Sequence, residues 1–202
     1  MFVLGITGGI GSGKSTVSGI LKDRGLKVLD ADQLSREVTA VGGIALPEIE
    51  EVFGNRAIAS DGSMNRKYVS SVVFSDNTKL DILSSIIHKY VLQYIAEDIE
   101  KERVRSTKCI VLDVPIPVKK GFCDKCNQIW VVTCDENVRI KRLIDRGLTK
   151  EDAQRRIAVQ MTDEEYLSLG DFEINNSGTL DELYDRTEKL IKSELFERGI
   201  RI

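Results

Sequence analysis

The segment Gly8-Gly9-Ile10-Gly11-Ser12-Gly13-Lys14-Ser15 constrains the fold of this chain more than any other. It meets the pattern G-x-x-x-x-G-K-[ST] in full, a pattern that works only with a strand leading in and a helix leading out. Both are legible. Residues 2–6 form a short apolar run that reads as a buried strand. Residues 14–24 carry a helical pattern that Gly25 stops, as glycine commonly does just past a helix C-terminus. Glycines let backbone N–H groups turn inward as an anion nest, which side-chain bulk would block. The following helix adds its positive N-terminal end. Lys14 is expected to reach the β- and γ-phosphates of a nucleotide, and Ser15 to hold Mg²⁺. No three of these glycines have the G-x-G-x-x-G spacing, which disfavours a dinucleotide-binding oxidoreductase. The chain also lacks the N-K-x-D box of a GTPase.

The rest of the chain supplies a frame for such a loop. Residues 27–30 read as the second strand, 109–113 and 129–133 are short, continuously apolar and β-branched, the pattern of buried parallel strands, and 172–174 forms a further, weak strand. Between them, residues 33–105 are mostly helical, with Leu83, Ile87, Tyr90 and Tyr94 along one face and a turn at Asp61-Gly62. Helices are expected over 135–146 and 149–161. A last helix sets Leu180, Leu183, Tyr184, Leu190, Ile191 and Leu195 on one side. Strands alternating with helices mean an α/β fold with a parallel sheet.

Composition narrows the function. At 202 residues the chain makes one large domain. Lys and Arg number 29 against 32 Asp and Glu, so the basic excess of a nucleic-acid-gripping domain is missing. No apolar run is long enough to span a membrane, and the N-terminus lacks the basic start of a signal peptide; the expected compartment is the cytoplasm. Cys109 and Cys134 lie in apolar runs and read as core residues. Cys123 and Cys126 have the spacing of a zinc or dithiol pair, but no second close pair or His cluster completes a site, so they read as structural.

A phosphate loop alone does not separate motor, ATPase and small-molecule kinase. The discriminating segment is Asp30-Ala31-Asp32-Gln33-Leu34-Ser35-Arg36, which puts two carboxylates at a strand's C-terminal end, where α/β proteins place ligands. One of them is either a helix N-cap or the group that meets an acceptor hydroxyl.

At these residues the chain resembles the dephospho-coenzyme A kinase family. The resemblance rests on Thr7 to Thr16 (T-G-G-I-G-S-G-K-S-T) followed by Asp30-Ala31-Asp32. It continues through Phe53-Gly54, Asn65-Arg66, Ile86-Ile87-His88, Asp113-Val114-Pro115, Arg142 to Arg146, Arg156-Ile157 with Gln160, and Ile174-Asn175-Asn176. It implies a P-loop kinase-like sheet flanked by helices, with a helical substrate-binding insertion and a lid. Within a single domain, 1–31, 106–138 and 170–202 would form the core, 32–105 the helical region and 139–169 the lid. It implies ATP and dephospho-coenzyme A as substrates, with Mg²⁺, and transfer of the γ-phosphoryl group to the 3′-hydroxyl. By the same resemblance Asp32 is the base, Lys14, Arg142 and Arg146 are catalytic, and Asp113 shares Mg²⁺ with Ser15. Gly9, Gly11, Ser12, Gly13, Lys14, Ser15, Thr16 and Asn176 bind ATP, and Thr7, Asp32, Arg36, Arg66 and His88 the acceptor. A kinase for another small acceptor, such as a nucleoside or nucleotide, is the alternative, and a nucleotide-dependent switch a more distant one.

The chain departs from the family pattern in three places. Pro115-Ile116-Pro117-Val118-Lys119 stands where P-L-L-F-E is usual, so acceptor contacts there are open. Lys89 stands where proline usually follows the histidine. Glu173 makes the strand before Asn175 partly acidic.

Overall fold

The computed structural model describes residues 1–115, 117 and 121–202. Five strands, β1 (Phe2–Thr7), β2 (Lys27–Asp30), β3 (Cys109–Asp113), β4 (Gln128–Thr133) and β5 (Phe172–Asn175), pair in the order β2-β3-β1-β4-β5. Every pairing is parallel. Central strands of such a sheet are covered on both faces, which is why β3 and β4 are buried at every position while edge strands β2 and β5 are not. From β1 the chain crosses to β2, and from β3 it crosses back over β1 to β4. The carboxyl ends of β1 and β3 therefore form the switch point where α/β sheets bind ligands.

Helices α1 (Lys14–Asp23) and α9 (Leu180–Leu190) close one core against the sheet. Val17, Leu21 and Leu183 pack with Leu4, Ile6, Val111, Trp130, Val132 and Ile174. Each large apolar side chain buried there contributes about 1.5–3 kcal/mol. The buried indole of Trp130 donates to Gln128 Oε1 at 3.0 Å, and Gln128 donates on to Glu194 at 2.8 Å, so no polar atom of that chain is stranded.

The chain divides into two compact units, Met1–Asp30 with Glu102–Ile202, and Ala31–Lys101. The first holds the sheet, α1 and α9, and also α6 (Glu136–Asp145), α7 (Lys150–Ala158) and α8 (Asp163–Leu167). The second holds α2 (Ala31–Glu37), α3 (Leu46–Phe53), α4 (Arg66–Val73) and most of α5 (Asn77–Val104). Leu46, Ile49 and Phe53 form the buried stripe of α3 at helical spacing, and Asn65 caps α4 by accepting from the Tyr68 N–H. Among the described residues no helix is long and apolar enough to cross a membrane.

Three local expectations need correction. The last helix does not run on regularly: it ends at Leu190 and widens into a π turn over Ile191–Leu195. Its core stripe is Leu183, Thr187 and Ile191, leaving Leu180 and Tyr184 exposed. The apolar pattern skipped Thr187 because its hydroxyl is polar, but that hydroxyl donates to the Leu183 carbonyl at 2.8 Å and can be buried. On α5 the buried apolar residues are Ile86, Val91, Ile95 and Ile99, and the expected stripe of Leu83, Ile87, Tyr90 and Tyr94 is half-buried. Four-residue steps wind slowly round a 3.6-residue helix, so no fixed face describes 28 residues. The expected helix 149–161 is cut after Ala158, and α8 starts anew behind the capping box of Thr162 and Glu165.

The Glu102 carboxylate of the first unit gathers three donors. It accepts from Thr107 Oγ1 at 2.6 Å, Lys27 Nζ at 3.0 Å and Arg105 Nη1 at 2.9 Å. These donors, Thr107 first, hold its carboxyl down at about 2 against an ordinary 4.5. A carboxyl with a lower pKa in the folded state stabilises above the unfolded value and loses that contribution as pH falls toward the folded one. Glu102→Gln is therefore expected to lower the urea midpoint at neutral pH, with the gap to wild type closing between pH 4.5 and about 2. Urea titrations across that range check this; a gap that stays constant would show that the charge of Glu102 contributes nothing.

Candidate active site

The phosphate loop leaves β1 at Thr7 and enters α1 at Lys14. Gly13 is the N-cap, at φ 98° and ψ 15°, and no side chain caps the helix. A Cβ there would stand 2.0 Å from Asn176 Nδ2, so the position demands glycine for both conformation and space. Among the described residues the N–H groups of Gly11, Gly13, Lys14 and Ser15 meet no acceptor within the protein. Helix starts leave such donors open, and an anion satisfies them.

The carbonyls of residues 9–13 are all engaged. Gly9 O accepts from Ser12 N at 3.1 Å and Gly13 O from Thr16 N at 2.9 Å. Ile10 O accepts from Arg139 Nε at 3.0 Å, Gly11 O from Arg142 Nη1 at 3.4 Å, and Ser12 O from Asn176 Nδ2 at 2.7 Å. Arg142 Nη2 donates in turn to Asn176 O at 3.0 Å, tying helix α6, the end of β5 and the loop into one network. Ile10 N–H donates to Gln160 Oε1 at 2.7 Å. The side chains of Thr7 and Ser12 are buried beside this network with hydroxyls that have no partner in the protein.

Lys14 forms an ion pair with Asp113, the last residue of β3, whose carboxylate is almost fully buried. The sheet makes this meeting: Asp113 pairs in register with Ile6 of β1 and with Asp30 of β2, bringing three strand ends together. Ser15 and Thr16 follow in the first turn of α1, with Ser15 exposed.

Asp32, Arg36, Arg66 and His88 all belong to the second unit. Asp32 is exposed in the first turn of α2, and its backbone carbonyl accepts from Ser35 Oγ at 2.8 Å. Arg36 ends the same helix. The buried Thr39 hydroxyl donates to Arg36 O and accepts from Arg66 Nη2 at 2.9 Å, so Arg66 is drawn to that end of α2. His88 is exposed on α5. Its neighbour Lys89, standing where the family usually has proline, pairs with Glu48; their hydrogen bond, and then their opposite charges, lower the Glu48 pKa and raise that of Lys89. Glu173, the acidic departure, accepts from Thr133 Oγ1. Of the departing segment after β3, Ile116, Val118 and Lys119 lie outside the described residues; Pro115 O accepts from the Tyr166 hydroxyl at 2.9 Å.

The two expected lid arginines differ. Arg142 is half-buried with its fork on loop and Asn176 carbonyls, whereas Arg146 is exposed at the C-cap of α6. Arg139 and Gln160 were not singled out by sequence as loop contacts. The available signal for Arg139 was its place three residues before Arg142, on the same helix face. Cys126 packs on β1: a Cβ on Gly5 would stand 2.7 Å from its Sγ. Burial, reinforced by Cys123 and nearby carboxylates, pushes the Cys126 thiol up to about 12, and no group of three metal-ligating side chains forms among the described residues.

Comparison with known proteins gives this arrangement a family. A family model described as dephospho-CoA kinase matches residues 2–182. The chain is 36% identical over 199 residues to a dephospho-CoA kinase of Corynebacterium glutamicum, covering 98% of this chain and 99% of that protein. It is 37% identical over 196 residues to one from Dehalococcoides mccartyi, covering 96% and 98%. A crystal structure of a Thermus thermophilus protein superposes with a TM-score of 0.80 at 29% identity, covering 96% of this chain and 97% of the other. With a matching model over most of its length and relatives similar end to end, the chain belongs to the dephospho-CoA kinase family.

Proposed function

We propose that this protein transfers the γ-phosphoryl group of ATP to the 3′-hydroxyl of dephospho-coenzyme A in the cytoplasm, giving coenzyme A in the last step of its biosynthesis. The observation that carries the ATP half is the loop in which the carbonyls of residues 9–13 are engaged while the N–H groups of Gly11, Gly13, Lys14 and Ser15 are open, with a Lys14–Asp113 ion pair at the end of β3. Family membership carries the acceptor half.

The residues present suit Mg²⁺. Asp113 offers a carboxylate already paired with a cation, and Ser15 an exposed hydroxyl; both are hard oxygen donors of the kind Mg²⁺ takes beside substrate phosphates. When bound, the ion neutralises charge on the β- and γ-phosphates. Ser15 and Asp113 would hold it, freeing the Lys14 ammonium to meet the same phosphates.

Phosphoryl transfer passes through a loose transition state, so positioning and fixed charge carry most of the catalysis. Gly9, Gly11, Ser12, Gly13, Lys14, Ser15 and Thr16 cradle the polyphosphate. Asn176, beside the loop, supports its shape and lies on the adenine side. Asp32 orients the 3′-hydroxyl and takes its proton as the bond to phosphorus forms. Arg36, Arg66, His88 and Thr7 serve the acceptor. Arg142 acts through the loop, and Arg146 meets the transferring group as negative charge spreads over its oxygens.

Three measurements test this reading. Protein incubated with ATP, Mg²⁺ and dephospho-coenzyme A is expected to yield coenzyme A and ADP in equal amounts. Turnover with a nucleoside or nucleotide instead would move the assignment to another small-acceptor kinase. Asp32→Asn is expected to keep ATP affinity but lower kcat by about 10²–10⁴, with Asp30→Asn costing less. Single-turnover transfer decides between them, and the reverse ranking would make Asp30 the base. Arg146→Ala is expected to lower kcat more than it raises the KM for dephospho-coenzyme A; a rise in KM alone would make Arg146 a binding residue.

A further inference from the structure

We propose that Arg139 and Gln160 are positioning residues that set the phosphate loop at Ile10, and that the Arg139 guanidinium serves as a fixed positive charge behind Gly9 for the nucleotide's polyphosphate. The proposal deepens the reading of this chain as an ATP-dependent kinase and rests on it.

The two side chains hold the two peptide groups that flank the Ile10 Cα. Gln160 Oε1 accepts the N–H of one at 2.7 Å, and Arg139 Nε donates to the C=O of the other at 3.0 Å. A trans peptide is planar, with its C=O and N–H on opposite edges. Drawing Ile10 O toward Arg139 therefore aims the Gly11 N–H the opposite way, and that N–H is one of the open donors of the nest. With both flanking planes held, φ and ψ of Ile10 are set from outside the loop. Arg139 comes from α6 and Gln160 from the turn after α7, so two separate elements must be in place for the loop to keep its shape.

The charge argument is independent of the hydrogen bonds. Arg139 is 4% exposed, yet its one ion-pair partner among the described residues is Asp163, at 3.4 Å and itself partly open to solvent. Its Nη2 is buried with no hydrogen-bond partner in the protein. That nitrogen lies against Gly9: a Cβ there would stand 2.4 Å from Nη2 and 3.3 Å from Gln160 Oε1. Gly9 is not among the left-handed glycines, so close approach of the guanidinium is what excludes a side chain. A buried cation so incompletely compensated destabilises the empty protein, and an anion held on the other side of the loop would offset that. Arginine suits both tasks, because its charge is permanent and its N–H donors are fixed in one plane.

The test is ATP affinity measured with Mg²⁺ and without acceptor, together with amide exchange over residues 8–13 and thermal melting. Arg139→Gln is expected to weaken ATP about tenfold and Gln160→Met about fivefold, with the double variant falling short of the product because both act on the same residue. Arg139→Lys, which keeps charge but not the planar donors, should recover part of the loss. Gln160→Glu should restore slow Ile10 exchange, because a carboxylate oxygen still accepts, but recover little ATP affinity, because its charge beside Arg139 offsets the cation. Exchange at the Ile10 amide should quicken in Gln160→Met, and the KM for dephospho-coenzyme A should stay within about twofold. Unchanged ATP affinity with only a lowered melting temperature would overturn the proposal and make both residues packing elements. Fully multiplicative losses with unaltered Ile10 exchange would also overturn it. Because acceptor is absent from the binding measurement, wild-type protein that binds ATP but leaves dephospho-coenzyme A unphosphorylated would count against the proposed reaction and not against this loop assignment.

Discussion

A peptide group has a donor edge and an acceptor edge, and this protein's phosphate loop must point the donor edges at its ligand. The acceptor edges then face the protein, where each one left without a donor would cost about 1–3 kcal/mol. The structure supplies every donor for residues 9–13. Two come from backbone N–H groups of the loop and first helical turn, and the others from Arg139, Arg142 and Asn176. Two of those three side chains are guanidinium groups, which carry five donors and no acceptor and can serve carbonyls without needing a donor in return.

Much of the first unit follows from that requirement. Asn176 can reach Ser12 only because β5 lies two places from β1, with β4 between them, and its own N–H is held by Thr133 O at 2.8 Å. Arg139 and Arg142 can reach Ile10 and Gly11 only because α6 begins directly after β4, the neighbour of β1. On the other side, β3 ends on Asp113 and delivers a carboxylate to Lys14. The sheet order thus sets cationic donors on one flank of the loop and a carboxylate on the other. A formal charge of −3 overall coexists with three fixed cations at one loop, so local arrangement and not net charge sets the potential there.

The same economy explains the departures from the family pattern. Lys89 pairs with Glu48 within the helical unit, and Glu173 accepts from Thr133 at the edge strand. Both changed residues satisfy a neighbour locally, and neither belongs to the loop network.

What the amino-acid sequence determined by itself was whatever local pattern encodes. The eight-residue loop, the strand before it and the helix after it are contiguous, and strand 109–113 matches the structure residue for residue, because a strand covered on both faces reads as a nearly continuous apolar run; 27–30 matches as well, although this edge strand is charged at both ends. The irregular end of α9 and the drifting stripe of α5 escaped, since a satisfied Thr187 hydroxyl and a winding buried face have no simple periodic signature. Tertiary structure alone decided which side chains hold the loop. Arg139 lies 129 positions from Ile10, Gln160 150 positions from it, and Asn176 164 positions from Ser12. By local pattern alone Arg139 and Arg142 are two more charges on an amphipathic helix, and only the family resemblance marks Arg142. They become loop donors only because parallel pairing of β4 and β5 beside β1 carries them to carbonyls that have to be satisfied.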